Sequence, residues 1–381
     1  MKASTRKFDS VAQMLHTLTP SYPVYCLRPH IIKQSATEFL QHFPGDTMFA
    51  VKCNPHPAVI KILYNAGIRH FDVASLQEIS LVRELYPEAA LYYMHPVKPL
   101  AHISSAYNVY NVRHYVVDHI NELRKLQKYA DPVETTIIVR IATPDAGASY
   151  NLSAKFGAQP DEAIELLKTI NNLGMNTGLA FHVGSQCTST RSFDQALQIV
   201  RTILDAADVD IKCLDIGGGF PASYDGVVIP PLGDYFDVIS SAVKSLNLPK
   251  DCKLMSEPGR ALVANACSLI VQVQLRKDNR LYINDGIYGS FSEAHTVGLR
   301  YPAHMHRLHG EISNTLAGFT IFGPTCDSTD VLPYTFALPD DIREGDWIEI
   351  GQMGAYSSAC VTRFNGFFPE TFVEISDETV I

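Results

Sequence analysis

Lys52 closes the apolar run Met48-Phe49-Ala50-Val51, and Asn54 and Pro55 stop the run directly after it. No polar residue alternates through the run, so it reads as a strand buried on both faces. An ammonium at the end of such a strand is costly to desolvate unless it is paired or neutralised. Taken alone, Lys52 is first read as structural, snorkelling out of the strand end or paired with a carboxylate. The other reading is a nucleophilic amine, because a desolvated lysine has a lowered pKa and condenses with carbonyl compounds. Asp72 with Glu78 just beyond, His95, Arg140, His182, Glu257 and Arg260 stand at the ends of further apolar runs. Each of them alone is more simply structural. A ring of Lys, Asp, Arg, His and Glu at one face is the pattern of an active site.

The elements that must position these residues are short and regular. MFAVK is followed by HFDVA (70–74), LYYMH (91–95), HYVVD (114–118), TTIIVRI (135–141), GLAFHVG (178–184), CLDIGGG (213–219) and KLMSEPG (253–259). Amphipathic segments such as SLQEISLVRELY, DEAIELLKTINNLG and SFDQALQIVRTILDAA separate several of them. Eight strands alternating with helices predict a parallel (β/α)8 barrel, whose active site lies at the carboxyl ends of the strands. After about residue 265 the texture changes to SLIVQVQLRK, NRLYINDG, AGFTIFGP, DWIEIGQMGAY and ACVTRFNGF, strand-like runs with turn signals between them. The expected architecture is therefore α/β plus β. A barrel spans 30–264, and a mainly antiparallel β domain is built from 265–381 together with 1–29, including the strand candidate Tyr22–Leu27.

Composition narrows the function classes. The 381 residues carry 46% hydrophobic and 19% charged side chains and a net charge of −9. That charge, with no basic block, argues against nucleic acid and against an anionic membrane surface as partners. None of the eight cysteines forms a CxxC pair and no secretory leader or spanning segment is recognised, so free thiols in a cytoplasmic protein are expected, with no metal.

GGGFP (217–221) directly follows a strand, and such glycines let backbone N–H groups approach an anion; alone, the triple glycine is also simply a tight turn. Arg260 in SEPGR ends the next strand, where barrel enzymes often hold a phosphate. A phosphate site together with a carbonyl-reactive lysine points to pyridoxal phosphate. The motifs FAVKCNP, FDVAS with Glu78, VRIAT, SAKFGA, FHVGSQ, LDIGGGFP, EPGR, NDGIYGSF, GPTCDSTD and GAYSSACVTRFNGF run in order over nearly the whole chain. On these it resembles the ornithine decarboxylase branch of the alanine-racemase-fold (fold type III), pyridoxal-phosphate-dependent decarboxylases.

The resemblance implies a head-to-tail homodimer with shared active sites and a role for each matching residue. Lys52 would hold the cofactor covalently and exchange it for the substrate amine. His182 would stack on the pyridine ring, and Glu257 would pair with the ring nitrogen. Gly217, Gly218, Gly219, Ser185, Arg260 and Tyr356 would bind the phosphate, while Asp72, Glu78 and Arg140 line the site and orient Lys52. From the facing subunit, Cys326 would reprotonate the substrate carbon, Asp327 would grip the distal amine and Tyr288 would face the site. Lys155 and Asp330 would form a cross-interface ion pair.

One stretch departs from the pattern. Where relatives carry an acid for the distal ammonium, this chain has Thr296 and Val297 in SFSEAHTVGLRYP. Glu293 is a candidate substitute, or Asp327 acts alone; one carboxylate fewer weakens binding by a few kcal/mol at most. His295, His304 and His306 crowd the same region, and YYMHPVKP, in the family's substrate-length-setting region, is also individual. The implied reaction is decarboxylation of a basic L-amino acid, with L-ornithine to putrescine in polyamine biosynthesis expected first. Lysine or another diamino acid or conjugate is the alternative. Racemases of this fold place an arginine by the pyridine nitrogen, and Glu257 argues against that activity. A catalytically inactive regulatory paralogue is disfavoured because Lys52, Glu257, Arg260, Cys326 and Asp327 are all present.

Overall fold

The computed structural model describes residues 5–144, 148–150 and 155–378. The chain divides into two compact units, one of residues 36–221 and 229–259, the other of 1–35, 222–228 and 260–381. By its backbone packing the barrel unit ends at Gly259, and residues 222–228 go with the second unit.

In the first unit eight parallel strands close into a barrel: Asp46–Ala50, His70–Val73, Ala90–Tyr93, His114–Val117, Thr136–Arg140, Asn176–Ala180, Cys213–Asp215 and Lys253–Ser256. Closure is made by Met255 in register with Asp46. All eight fall on the apolar runs of the sequence, which show no alternation because helices cover the outer face and a buried cluster that includes Met48, Val116, Ile138, Ala180 and Met255 packs against the strands. The strands are shorter than the runs, since the last residues of each run leave the ladder and form the turns that carry polar groups.

Local signals set the helices. Pro57 opens the helix Pro57–Ala66 behind the capping His56, and Gly67, with φ of 117°, ends it in the left-handed conformation. Ser75 accepts the Glu78 N–H at the start of the helix Leu76–Leu85.

The second unit is a mixed sheet. Its central strand, Cys267–Lys277, pairs antiparallel with Val24–Leu27, Arg280–Ile283 and Trp347–Ile350. Thr371–Ile375 lies parallel to Val24–Leu27 and to Arg6–Phe8, so both ends of the chain enter one sheet. Leu316–Phe322 and Val331–Pro339 extend it on the other side. Buried Arg28 holds three of these strands and the C-terminal stretch together, donating to Ser268 Oγ (2.9 Å), Glu349 (3.0 Å) and Asp377 (2.8 Å). ACVTRFNGF is not a strand: it forms two short 3-10 turns, Ser358–Cys360 and Phe364–Gly366, with Asn365 at φ 52°. Asn-Gly near its end turns the chain where an alternating ladder would need extended backbone.

Candidate active site

Lys52 sits two residues beyond its strand, in the 3-10 turn Val51–Cys53 that Asn54 closes by donating its N–H to Val51 O. The expectation that it ends the strand is corrected by that turn, which lifts the side chain off the ladder. Its ammonium lies 2.6 Å from Asp72 Oδ2. Asp72 comes from the neighbouring strand, in register with Ala50, and is 1% exposed. Glu78 lies in the first turn of the helix that follows the Asp72 strand. Its carboxylate accepts the Ala74 N–H (2.7 Å), its own N–H donates to the capping Ser75 Oγ (3.2 Å), and burial raises its pKa.

Across the same end of the barrel, Asp215 and Glu257 stand side by side, with the Glu257 N–H donating to Gly217 O (2.8 Å). Burial pushes the Asp215 carboxyl up to about 7, opposed by the Gly217 N–H at 2.8 Å. Burial, then Asp215 and Asp72, hold Glu257 well above the usual carboxylate range. Asp72 Oδ1 and Asp215 Oδ2 are buried without a hydrogen-bond partner among the described residues. Carboxylates so placed call for shared protons or a cation.

His182 is neutral: burial, then Arg140 and Lys52, hold its pKa well below the usual value. Its Nδ1 accepts the Gly184 N–H at 3.0 Å, which leaves the ring proton on Nε2. The glycine turn packs against it. A β-carbon on Gly218 would come within 3.1 Å of His182 Nε2 and 2.6 Å of Glu257 O, and one on Gly217, at φ 69°, within 2.1 Å of Phe181 O. Because the Gly217 N–H is spent on Asp215, that residue shapes the turn rather than offering its own donor to an anion. Arg140 ends its strand 5.6 Å over the Phe156 ring. Ser185 opens a short strand paired with Ala148–Tyr150. His95 caps its own turn through the Val97 N–H, and in the same segment Lys98 is fully buried, its ammonium donating to Val116 O (2.6 Å) and His95 O (3.0 Å).

Two further groups lie in the second unit. Arg260 is clamped by Glu293, with Nη1 to Oε2 at 2.8 Å and Nη2 to Oε1 at 2.7 Å. Nη1 also donates to the Tyr224 hydroxyl at 2.7 Å, and the guanidinium lies 5.0 Å from the Tyr356 ring. Glu293 is therefore committed to Arg260 and does not replace the acid missing at the half-buried Val297. In the other group the Tyr288 hydroxyl donates to Asp327, which also accepts the Thr329 N–H at 2.9 Å. Next to it Cys326, exposed, donates its N–H to Asn365 Oδ1 at 3.0 Å. Lys155 is exposed, and Asp330 is buried among donors of its own unit. The sequence reading missed Asp215, Tyr224 and Asn365; Asp215 alone carried a signal, an acid closing an apolar strand just as Asp72 does.

Comparison with known proteins decides the family. Residues 29–264 match the model described as pyridoxal-dependent decarboxylase, pyridoxal binding domain. The chain belongs to that family. It is 34% identical over 348 residues to the lysine/ornithine decarboxylase of Selenomonas ruminantium, covering 89% of this chain and 86% of the relative. It is equally 34% identical, over 361 residues, to antizyme inhibitor 2 of Xenopus laevis, covering 86% and 75% of the two chains. The crystal structure of the Paramecium bursaria Chlorella virus arginine decarboxylase bound to agmatine superposes with a TM-score of 0.85 at 27% identity over 96% of this chain and 99% of that one.

This protein is thus a pyridoxal-phosphate-dependent decarboxylase of the basic amino acid group. The residues present fit the cofactor. Two orphaned carboxylate oxygens beside Glu257 suit a ring-nitrogen cation, and the glycine turn admits no side chain.

The carboxylate pair makes stability depend on pH. An unfolded aspartate loses its proton near pH 4, whereas folded Asp215 keeps one to about 7. The folded chain then binds more protons than the unfolded chain between those values, so stability falls as pH rises through that window. Cofactor-free protein is expected to unfold at lower urea concentration at pH 8 than at pH 5, with the difference reduced in Asp215→Asn. An identical difference in both proteins would remove Asp215 as its source.

Proposed function

We propose that this decarboxylase acts on L-ornithine, releasing CO2 and putrescine for polyamine synthesis, as a cytoplasmic homodimer in which each β unit completes the partner's site. The observation that carries the substrate reading is the half-buried Asp327 carboxylate, held by Tyr288 and Thr329 beside the exposed Cys326. An oriented carboxylate suits the distal ammonium of a diamino acid. All eight cysteines are free, as a reducing compartment requires.

Lys52 is the amine that holds the cofactor and later takes or gives a proton, with Asp72 keeping its ammonium in place. Neutral His182 would pack against the pyridine ring, and Glu257 would pair with the ring nitrogen. Ser185, Gly218, Gly219, Arg260 and Tyr356 hold the phosphate. Arg140 and Glu78 support that pocket. When bound, pyridoxal phosphate supplies the electron sink that accepts the pair left by departing CO2. Cys326 then delivers a proton to the carbon that lost the carboxylate.

A second reading has its own support. With Thr296 and Val297 in place of an acid and Glu293 engaged by Arg260, the distal pocket offers one carboxylate, which suits lysine, a longer diamino acid or a conjugate. CO2 release by the cofactor-loaded enzyme from ornithine, lysine, arginine, 2,4-diaminobutyrate and their conjugates separates the two. Highest kcat/KM on ornithine is expected. Silence on the simple diamino acids, with the cofactor's visible absorbance intact, would place the substrate among the conjugates.

A further inference from the structure

One buried carboxylate organises the loops that carry Tyr288, Cys326 and Asp327. Asp330 is 2% exposed. Its Oδ1 accepts the N–H of Ile287 (2.9 Å), the residue before Tyr288. Its Oδ2 accepts the N–H (3.1 Å) and the hydroxyl (2.7 Å) of Thr325, the residue before Cys326. The loops close on it so tightly that a β-carbon at Gly286 would lie 2.1 Å, and one at Gly323 2.2 Å, from a carboxylate oxygen. On the far side of the first loop Asp285 accepts the N–H groups of Gly286 (2.8 Å) and Ser290 (3.2 Å). The Ser290 hydroxyl meets Tyr25 Oη at 2.6 Å. Tyr288 therefore sits on a loop held at both ends by side-chain carboxylates rather than by strand pairing.

We infer that Asp330 is a positioning residue for substrate: by holding Ile287 and Thr325 on one carboxylate, it sets the Tyr288 hydroxyl against Asp327 and fixes the anion that receives the substrate's distal cation. The resemblance gave Asp330 a role between subunits. Its two oxygens here accept three donors of its own chain. A carboxylate already locked in its binding rotamer spares the substrate the cost of ordering it. The inference rests on the reading of Asp327 above.

Steady-state kinetics of the holoenzyme, on the best substrate of the panel, tests it. Thr325→Val removes the hydroxyl bond and leaves the backbone bond. KM is expected to rise about 2- to 10-fold, the range of one lost hydrogen bond, with kcat and the cofactor spectrum little changed. Asp330→Asn should act in the same direction and more strongly; if that variant does not fold, Thr325→Val decides. In a Tyr288→Phe background the effect of Thr325→Val should vanish, because a residue acting through Tyr288 has nothing left to position. An unchanged KM in Thr325→Val, or a rise that persists undiminished in Tyr288→Phe, overturns the inference. Asp327→Asn is the control. If it leaves KM unchanged, the distal-cation reading fails; if it raises KM while Thr325→Val does not, only the role of Asp330 fails.

Discussion

Lys52→Ala protein is expected to release no CO2 above background, a loss on the order of 10³-fold or more for a residue on which the whole reaction depends. It should also lack the visible absorbance of bound cofactor after incubation with pyridoxal phosphate. Among the described residues no other amine is placed to stand in. Lys98, the other lysine pulled inward, is fully buried with its ammonium on the Val116 and His95 carbonyls and paired with Glu122 at 3.1 Å. The same substitution removes the counter-charge of Asp72. Its cost to the cofactor-free fold is on the order of 1–3 kcal/mol, less than for a fully buried pair, because the Lys52 side chain is 38% exposed. Spectra, CO2 release and urea midpoints check all three effects. A variant that kept both absorbance and activity would take Lys52 out of the mechanism.

Glu257→Gln should cost about 10²- to 10³-fold in kcat, the range found when one preorganised electrostatic partner is removed, while KM changes only a few-fold. Glutamine keeps the shape but carries no charge for the ring nitrogen. Its buried neighbours sharpen the effect. Burial, then Asp215 and Asp72, raise the Glu257 pKa, so a cation arriving beside it favours its ionised form. Glutamine also removes a carboxyl whose own pKa is raised in the folded chain, so the fall in cofactor-free stability with rising pH should flatten. Equal kcat in the variant and the parent, with cofactor bound, would mean that the ring nitrogen finds its partner elsewhere.

How much of this was legible in the sequence differs by kind of interaction. The barrel was legible because strands covered on both faces leave uninterrupted apolar runs, and the polar residues that end those runs lie at one mouth. The β unit was read less well. VLPYTFALP escaped notice because Pro333 interrupts it, yet Val331–Pro339 is the last strand on its side of the sheet, the position where a proline costs no ladder bond. ACVTRFNGF was misread because its β-branched and aromatic content outweighed the Asn-Gly near its end. The carboxylate pair of Asp215 and Glu257, the clamp of Glu293 on Arg260 and the pin at Asp330 join residues from 33 to 43 positions apart. No local pattern announces such contacts, because tertiary structure alone decides which neighbour a buried charge meets.

The parallel pairing of Val24–Leu27 with Thr371–Ile375 sets an order on biosynthesis. Cys26 meets Val373, about 350 residues later, so at roughly 5–20 residues per second the early strand waits on the order of 20–70 s for its neighbour to be made. By then all eight barrel strands, the last ending at Ser256, have left the ribosome. This early strand is thus among the last to complete its pairing, and a chain cut short before Thr371 leaves Val24–Leu27 with an open edge on one side.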